Sequence, residues 1–203
     1  MSATVAPAAT DRSDFRTVLI AGTKVGVVIA VMVVLYLVAA RYLTGGAADV
    51  MEALLVLAGA MVAAFLPGRW AVARTIEGIA GGAAIGLWGS IVFSVIDIVV
   101  LRPARAYPWT WDDVGGGSTW WYLPVWWMLA TFLAWQGGVL VAAGAARGRG
   151  SFASVAGPVV VGAVVLAIVG RLGGVHAILP VQVGLGFAVT LVALSIAALT
   201  RKA

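Results

Sequence analysis

Long runs of apolar residues dominate the chain, and short polar or glycine-rich segments separate them. Six of these runs reach the roughly 20 residues that an α-helix needs to cross about 30 Å of hydrocarbon. No run alternates apolar and polar residues with a period of two, as half-buried strands do. The pattern predicts an all-α fold, a polytopic bundle of six transmembrane helices at about 17–40, 48–66, 72–101, 120–145, 153–172 and 175–199.

The composition agrees with this pattern. Of the 203 residues, 63% are apolar and only 10% are charged, and the mean hydropathy is +1.07. A soluble domain is about 45–50% apolar and about 25% charged, so this chain has too few charges for a water-facing surface. Residues 1–16 are expected to form a cytoplasmic N-terminal tail, and residues 17–203 a single transmembrane domain in the lipid bilayer.

The distribution of lysine and arginine predicts the orientation, because cytoplasmic ends of membrane spans carry an excess of both. With both termini inside, nine of the 13 lie on the inner side: Arg12, Arg16, Lys24, Arg69, Arg74, Arg147, Arg149, Arg201 and Lys202. We therefore expect an N-in, C-in, multi-pass protein of the bacterial inner-membrane type. The net charge of +5 is assigned to orientation and not to nucleic-acid binding.

The residue inventory excludes several kinds of chemistry. The chain has no cysteine and one histidine, so disulfides, thiolate metal sites and paired-histidine haem ligation are excluded. It contains no HExxH, GxSxG, Walker A or dinucleotide-binding motif. We expect no catalytic residues, no metal and no cofactor, while a bound lipid or pigment stays open.

Charged residues inside spans are costly and serve as functional candidates by default. Lys24 and Glu77 lie at similar predicted depths near the inner interface, and we expect an intramembrane ion pair between them. The alternatives are a pair between Arg74 and Glu77 and a path for protons or cations. Near the outer side, we expect one polar pocket formed by four residues: Glu52, Asp97, Arg171 and His176. The alternative is that these four are separate interfacial charges.

Two further features are candidates for packing and ligand contact. Gly78, Gly82 and Gly86 form successive GxxxG steps, which allow close helix approach, so the third span is expected to be central or to receive a partner chain. Gln136 lies in the middle of the fourth span, where an amide needs a hydrogen-bond partner from another helix or from a substrate.

The predicted outer loop, 102–119, and the start of the next span are rich in tryptophan. An aromatic belt at the headgroup level is one interpretation. The others are a lid over a cation, sugar, lipid headgroup or pigment and a docking surface for another protein. The candidate binding residues here are Trp109, Trp111, Asp112, Asp113, Trp120 and Trp121.

Two functions fit these observations. The first is a non-catalytic subunit of a larger membrane complex, which docks other membrane subunits through the Gly-rich helix face and the Trp-rich outer loop. The second is a small-solute transporter, or a membrane-embedded substrate-binding subunit, with the outer polar pocket as its site. A cavity shared by Glu52 and Asp97 would favour the second, and a lipid-facing Gly78–Gly82–Gly86 face would favour the first.

Overall fold

The computed structural model describes residues 10–107 and 121–201, and these are all-helical apart from turns and connections. Six helices are long and apolar enough to cross a membrane, as the sequence predicts. They are α1 (Phe15–Tyr42), α2 (Gly45–Trp70), α3 (Ile76–Ile96, continued by a π-helical turn, Asp97–Leu101), α4 (Tyr122–Ala146), α5 (Phe152–Leu172) and α6 (Leu179–Thr200). These spans fit a multi-pass integral membrane protein.

The end of α2 and the start of α6 differ from the predicted positions, and a proline lies near each of them. α2 continues through Pro67 to Trp70, because a proline near a helix end removes only one backbone hydrogen bond. α6 begins at Leu179 and not at residue 175, with Pro180 in its first turn, where the missing N–H costs nothing.

α2 is the central helix, in place of the third span that the sequence favours. It contacts all five other helices, whereas α3 lies between α1 and α4 and also touches α2. The main core joins α2, α5 and α6 around Phe65, whose ring makes edge-to-face contacts with Phe187 and Phe152 at 6.3 and 6.0 Å. α5 packs chiefly on α6 and lies at the edge of the bundle.

The glycines of α3 are occupied by contacts within this chain. A Cβ on Gly82 would lie 3.1 Å from the backbone of Gly68, and one on Gly86 would lie 2.4 Å from the Cβ of Ala134. Gly78 faces the carboxylate of Asp11. The sequence left open whether this face packs within the chain or receives a partner chain, and α2, α4 and the segment before α1 fill it.

The segment before α1 folds back onto the α2–α3 turn. The carboxylate of Asp11 accepts hydrogen bonds from the backbone N–H of Arg74, Thr75 and Gly78 at 3.0–3.1 Å and from the Thr75 hydroxyl. The N–H of Arg12 donates to the carbonyl of Ala71 at 2.7 Å. Partial burial raises the pKa of Asp11, but the hydrogen bonds outweigh it and hold the pKa below its ordinary value.

The predicted ion pair between Lys24 and Glu77 is not formed. Glu77 lies in the first turn of α3 and accepts a hydrogen bond from the Ser13 hydroxyl at 3.0 Å, just before α1 begins. Lys24 is exposed nine residues into α1, about 14 Å farther along the helix axis at 1.5 Å per residue. The depth estimate failed because α3 begins four residues later than predicted, which leaves Glu77 at the helix start.

Candidate functional site

A buried polar network closes the end of α3. Asp97 is 1% exposed, and its carboxylate accepts hydrogen bonds from Arg102 Nε at 3.0 Å, from the Tyr107 hydroxyl at 2.5 Å and from the Tyr122 hydroxyl at 3.2 Å. Arg102 also donates to the Tyr122 hydroxyl and lies over that ring, 4.8 Å from its centroid. We call these four residues the Asp97 network. It ties α3 and its C-terminal turn to the start of α4.

The π-helical turn brings Arg102 to Asp97. In an α-helix, residues five apart point about 140° away from each other, because each residue turns the helix by about 100°. Here the N–H of Arg102 bonds to the carbonyl of Asp97 at 2.9 Å, a five-residue step that places the two side chains on one side. Such π-turns are rare in proteins, and many of those that occur lie at functional sites.

Inside the Asp97 network, a positive charge pairs with the carboxylate, and protonated hydroxyls donate to its oxygens. Arg102, whose side chain is 19% exposed, supplies the countercharge for the buried carboxylate. Burial and the hydrogen bond to Asp97 raise the pKa of Tyr107 far above its ordinary value, so the phenol stays protonated and donates at physiological pH. Charge-assisted bonds of this kind are about twice as strong as neutral ones.

An apolar cavity lies one helical turn from the Asp97 network. It has a volume of about 220 Å³ and lies between α1, α2, α3 and α4. Phe93 precedes Asp97 by one turn on α3, and Trp126 follows Tyr122 by one turn on α4, so both helices connect the network to the cavity. The lining residues are Val25, Ile29, Val33, Ala63, Gly86, Gly89, Ser90, Phe93, Trp126, Leu129, Ala130 and Leu133.

A second set of polar contacts lies beside this cavity, between α3 and α4. Trp127 donates its indole N–H to the Ser94 hydroxyl at 3.2 Å, and Ser94 donates to the carbonyl of Ser90 at 2.8 Å. Ser90, the polar side chain on the cavity wall, donates to the carbonyl of Leu87. The hydroxyl hydrogens are therefore turned towards the helix backbone, which leaves an apolar interior.

The outer pocket expected from the sequence does not assemble. Glu52 accepts a hydrogen bond from the Tyr36 hydroxyl at 3.1 Å, between α2 and α1. Asp97 is committed to its own network, while Arg171 and His176 are exposed at the α5–α6 connection. The prediction matched depth along the membrane normal, but depth does not determine which helices are neighbours.

Gln136 is buried between α4 and α6. The Ser195 hydroxyl donates to its side-chain oxygen, so this amide joins two helices.

Five of the six candidate binding residues in the Trp-rich stretch lie outside the described residues: Trp109, Trp111, Asp112, Asp113 and Trp120. Trp121 is described and is exposed next to the start of α4.

Sequence reasoning missed the partners of Asp97. Arg102, Tyr107 and Tyr122 lie in or next to the predicted Trp-rich outer loop, and nothing in the sequence there indicates which side chains face Asp97. One signal was available, since an aspartate four residues from the end of an apolar run requires a donor. Within the described residues, no group of three or more His, Asp or Glu side chains is placed to hold a metal ion.

A comparison of the chain with protein-family models, curated proteins and solved structures finds no significant match.

Proposed function

We propose that this chain is a membrane-embedded binding protein for a lipid-soluble molecule that carries one polar end. The observation that supports the proposal is the apolar cavity of about 220 Å³ between α1, α2, α3 and α4, one turn from the Asp97 network. The cavity receives the apolar part of the molecule. The polar end lies towards Arg102 and the two tyrosine hydroxyls.

The size of the cavity limits what it can hold. Pockets for drug-sized ligands are about 300–1,000 Å³, so this cavity accommodates a chain segment or a single ring. Its wall combines the aromatic side chains of Phe93 and Trp126 with small residues such as Ala63, Gly86 and Ala130. Small residues on a wall leave room for a flat or linear group without a cost in side-chain ordering.

A binding role of this kind is the second function that the sequence predicts, with the site moved from an outer polar pocket to an apolar cavity between four helices. The subunit role loses one of its two docking surfaces, because the residues that pack on Gly82 and Gly86 belong to this chain. The Trp-rich loop as a docking surface stays a prediction. So does the N-in, C-in orientation in a bacterial inner membrane.

The test fills the cavity and measures what the protein retains. Ala63→Leu and Ala130→Leu each add apolar volume to the cavity wall, whereas Ala193→Leu adds the same volume at an exposed position on α6. Wild-type protein is purified in detergent, extracted with organic solvent and analysed by mass spectrometry. We expect a molecule at near-stoichiometric amount, reduced at least fivefold in the double variant Ala63→Leu/Ala130→Leu and unchanged in Ala193→Leu.

Two results would contradict the proposal. One is an extract from wild type with the composition of the surrounding bulk lipid, which would show that nothing is selected. The other is full retention of the molecule by the double variant, with thermal stability equal to wild type, because the molecule would then be bound elsewhere.

A further inference from the structure

The end of the bundle opposite the Asp97 network carries two pockets lined by arginine. One, of about 280 Å³, lies between the α2–α3 turn, α4 and the start of α5, and Arg69, Arg74 and Arg149 line it. The other, of about 200 Å³, lies between α4, α5 and α6, and Arg147, Arg149 and Arg201 line it. Arg149 belongs to both, so the two pockets are neighbours. We call them the arginine pockets.

The charged side chains that line the arginine pockets are all arginines. Among the described residues, those that line them include no aspartate and no glutamate. α5 begins here at Phe152, and the N-terminus of a helix adds positive potential. Arg69 is partly fixed, because its guanidinium lies 5.7 Å over the Phe152 ring and donates to the carbonyl of Gly150 at 3.4 Å. Guanidinium groups in this arrangement match the oxygens of phosphate.

The smaller pocket also extends along the apolar part of the bundle. Leu140, Pro158 and Leu194 line it together with the arginines. Pro158 lies six residues into α5, about 9 Å from the helix start at 1.5 Å per residue. A ligand that fills this pocket therefore meets charge at one end and hydrocarbon at the other. A free phosphate ion would use only the charged part.

We infer that the arginine pockets bind the headgroup of an anionic phospholipid. Basic pockets between transmembrane helices are a known mode of lipid headgroup recognition. Two neighbouring pockets that share Arg149 favour a headgroup with two phosphate groups, as in diphosphatidylglycerol, with one phosphate in each pocket. An acyl chain lies along Leu140 and Pro158. This site is independent of the proposed function, since it lies at the other end of α3 from the Asp97 network.

The test is lipid titration of the purified full chain in detergent, followed by native mass spectrometry and by thermal unfolding. The probes are diphosphatidylglycerol, phosphatidylglycerol, phosphatidylcholine and inorganic phosphate. Arg149→Gln removes the shared guanidinium, and Arg41→Gln removes the same charge at the other end of the bundle, where Arg41 is exposed. We expect one bound diphosphatidylglycerol, an affinity about tenfold lower in Arg149→Gln, and no change in Arg41→Gln.

Each other outcome overturns the inference in a recognisable way. An equal loss in Arg41→Gln would show general charge attraction without a site. Saturation by inorganic phosphate, with no further gain from the lipid, would assign the pockets to a free anion. Equal binding of phosphatidylcholine would show that the arginines do not select charge. Arg201→Gln, which alters only the smaller pocket, is expected to lower the affinity as well, and wild-type affinity in that variant would contradict the two-pocket arrangement.

Discussion

Asp97 is almost fully buried in a part of the chain where an unpaired charge would be costly, and four hydrogen-bonding groups of the Asp97 network depend on one another. Arg102 neutralises the carboxylate, and the tyrosine hydroxyls donate to it. Removal of one partner leaves the other charge buried, which costs more than the pair itself contributes. The contributions of Asp97 and Arg102 to stability are therefore expected to be coupled.

A double-mutant cycle measures that coupling. Asp97→Asn leaves the Arg102 charge unbalanced, and we expect unfolding in detergent to become about 3 kcal/mol more favourable. Arg102→Gln leaves the carboxylate buried without a cation and is expected to have a similar effect. The double variant Asp97→Asn/Arg102→Gln has two neutral groups, so its loss should be clearly smaller than the sum. Strictly additive losses would contradict a coupled network.

Gln182 is a second residue whose state can be tested. Its side-chain nitrogen donates to the carbonyl of Val175 at 2.8 Å, while its side-chain oxygen is buried without a hydrogen-bond partner. An unsatisfied buried acceptor costs about 1–3 kcal/mol. Gln182→Met removes that acceptor and also the bond to Val175, so we expect a thermal midpoint close to wild type. A large loss of stability would show that the hydrogen bond to Val175 contributes more than the unsatisfied oxygen costs.

Close approach of helices α2 and α4 depends on a glycine that the sequence analysis did not single out. A Cβ on Gly137 would lie 1.9 Å from the carbonyl oxygen of Ala64, which is backbone and cannot rotate away. Gly59, which lies in α2, has open space where a Cβ would be placed. The GxxxG pattern pointed to α3 because it detects small residues at a spacing, not the helix they face.

Gly137→Ala is expected to force α4 away from α2 and to lower the stability by at least about 1–3 kcal/mol, the usual cost of overpacking. Gly59→Ala adds the same methyl group in open space, where the better helix propensity of alanine should be neutral or favourable by up to about 1 kcal/mol. Thermal unfolding in the same detergent measures both. Equal midpoints for the two variants would contradict the packing of α2 on α4.

The segment before α1 is an element held chiefly by the Asp11 carboxylate, with further hydrogen bonds from the Ser13 hydroxyl to Glu77 and from the Arg12 N–H to Ala71. Because hydrogen bonds lower the pKa of Asp11 in the folded chain, its contribution to stability is present above the ordinary value of 3.8. That contribution is lost as the pH falls through the lowered pKa. We expect hydrogen exchange of the Arg12 amide, corrected for intrinsic rates, to be constant from pH 7 to 5 and to rise below pH 4.

Asp11→Asn removes the charge and should raise this exchange at neutral pH while making it independent of pH. Asp14 is the appropriate comparison, because hydrogen bonds from Thr17 also lower its pKa. Asparagine is as good an N-cap as aspartate, so Asp14→Asn should keep the acid response of Arg12. If Asp14→Asn abolishes the acid response of Arg12, that response originates at the start of α1 and not at Asp11.

At the scale of the whole molecule, the number and type of the helices in the described residues followed from the sequence, and their arrangement did not. Run length and hydropathy are local properties, so α1 to α6 were predictable within a few residues. The pairing of Asp97 with Arg102 depends on a π-turn, and the pairing of Gln136 with Ser195 depends on which helices are neighbours. Neither leaves a periodic signal. The cavity is a property of four helices together and has no sequence signature of its own.

The orientation of the bundle is the whole-molecule prediction that decides which face of the membrane each site serves. Because the chain has no cysteine, a single cysteine reports its own position without background. Gly46→Cys lies in the first turn of α2 and Gly150→Cys before α5, at opposite ends of the bundle, and both positions have open space. With both termini inside, a membrane-impermeant maleimide should label Gly46→Cys in intact cells, and Gly150→Cys only after permeabilisation. The reverse pattern would place the arginine pockets on the outer leaflet and contradict the charge rule. Labelling of both in intact cells would contradict a spanning arrangement for the helices between them.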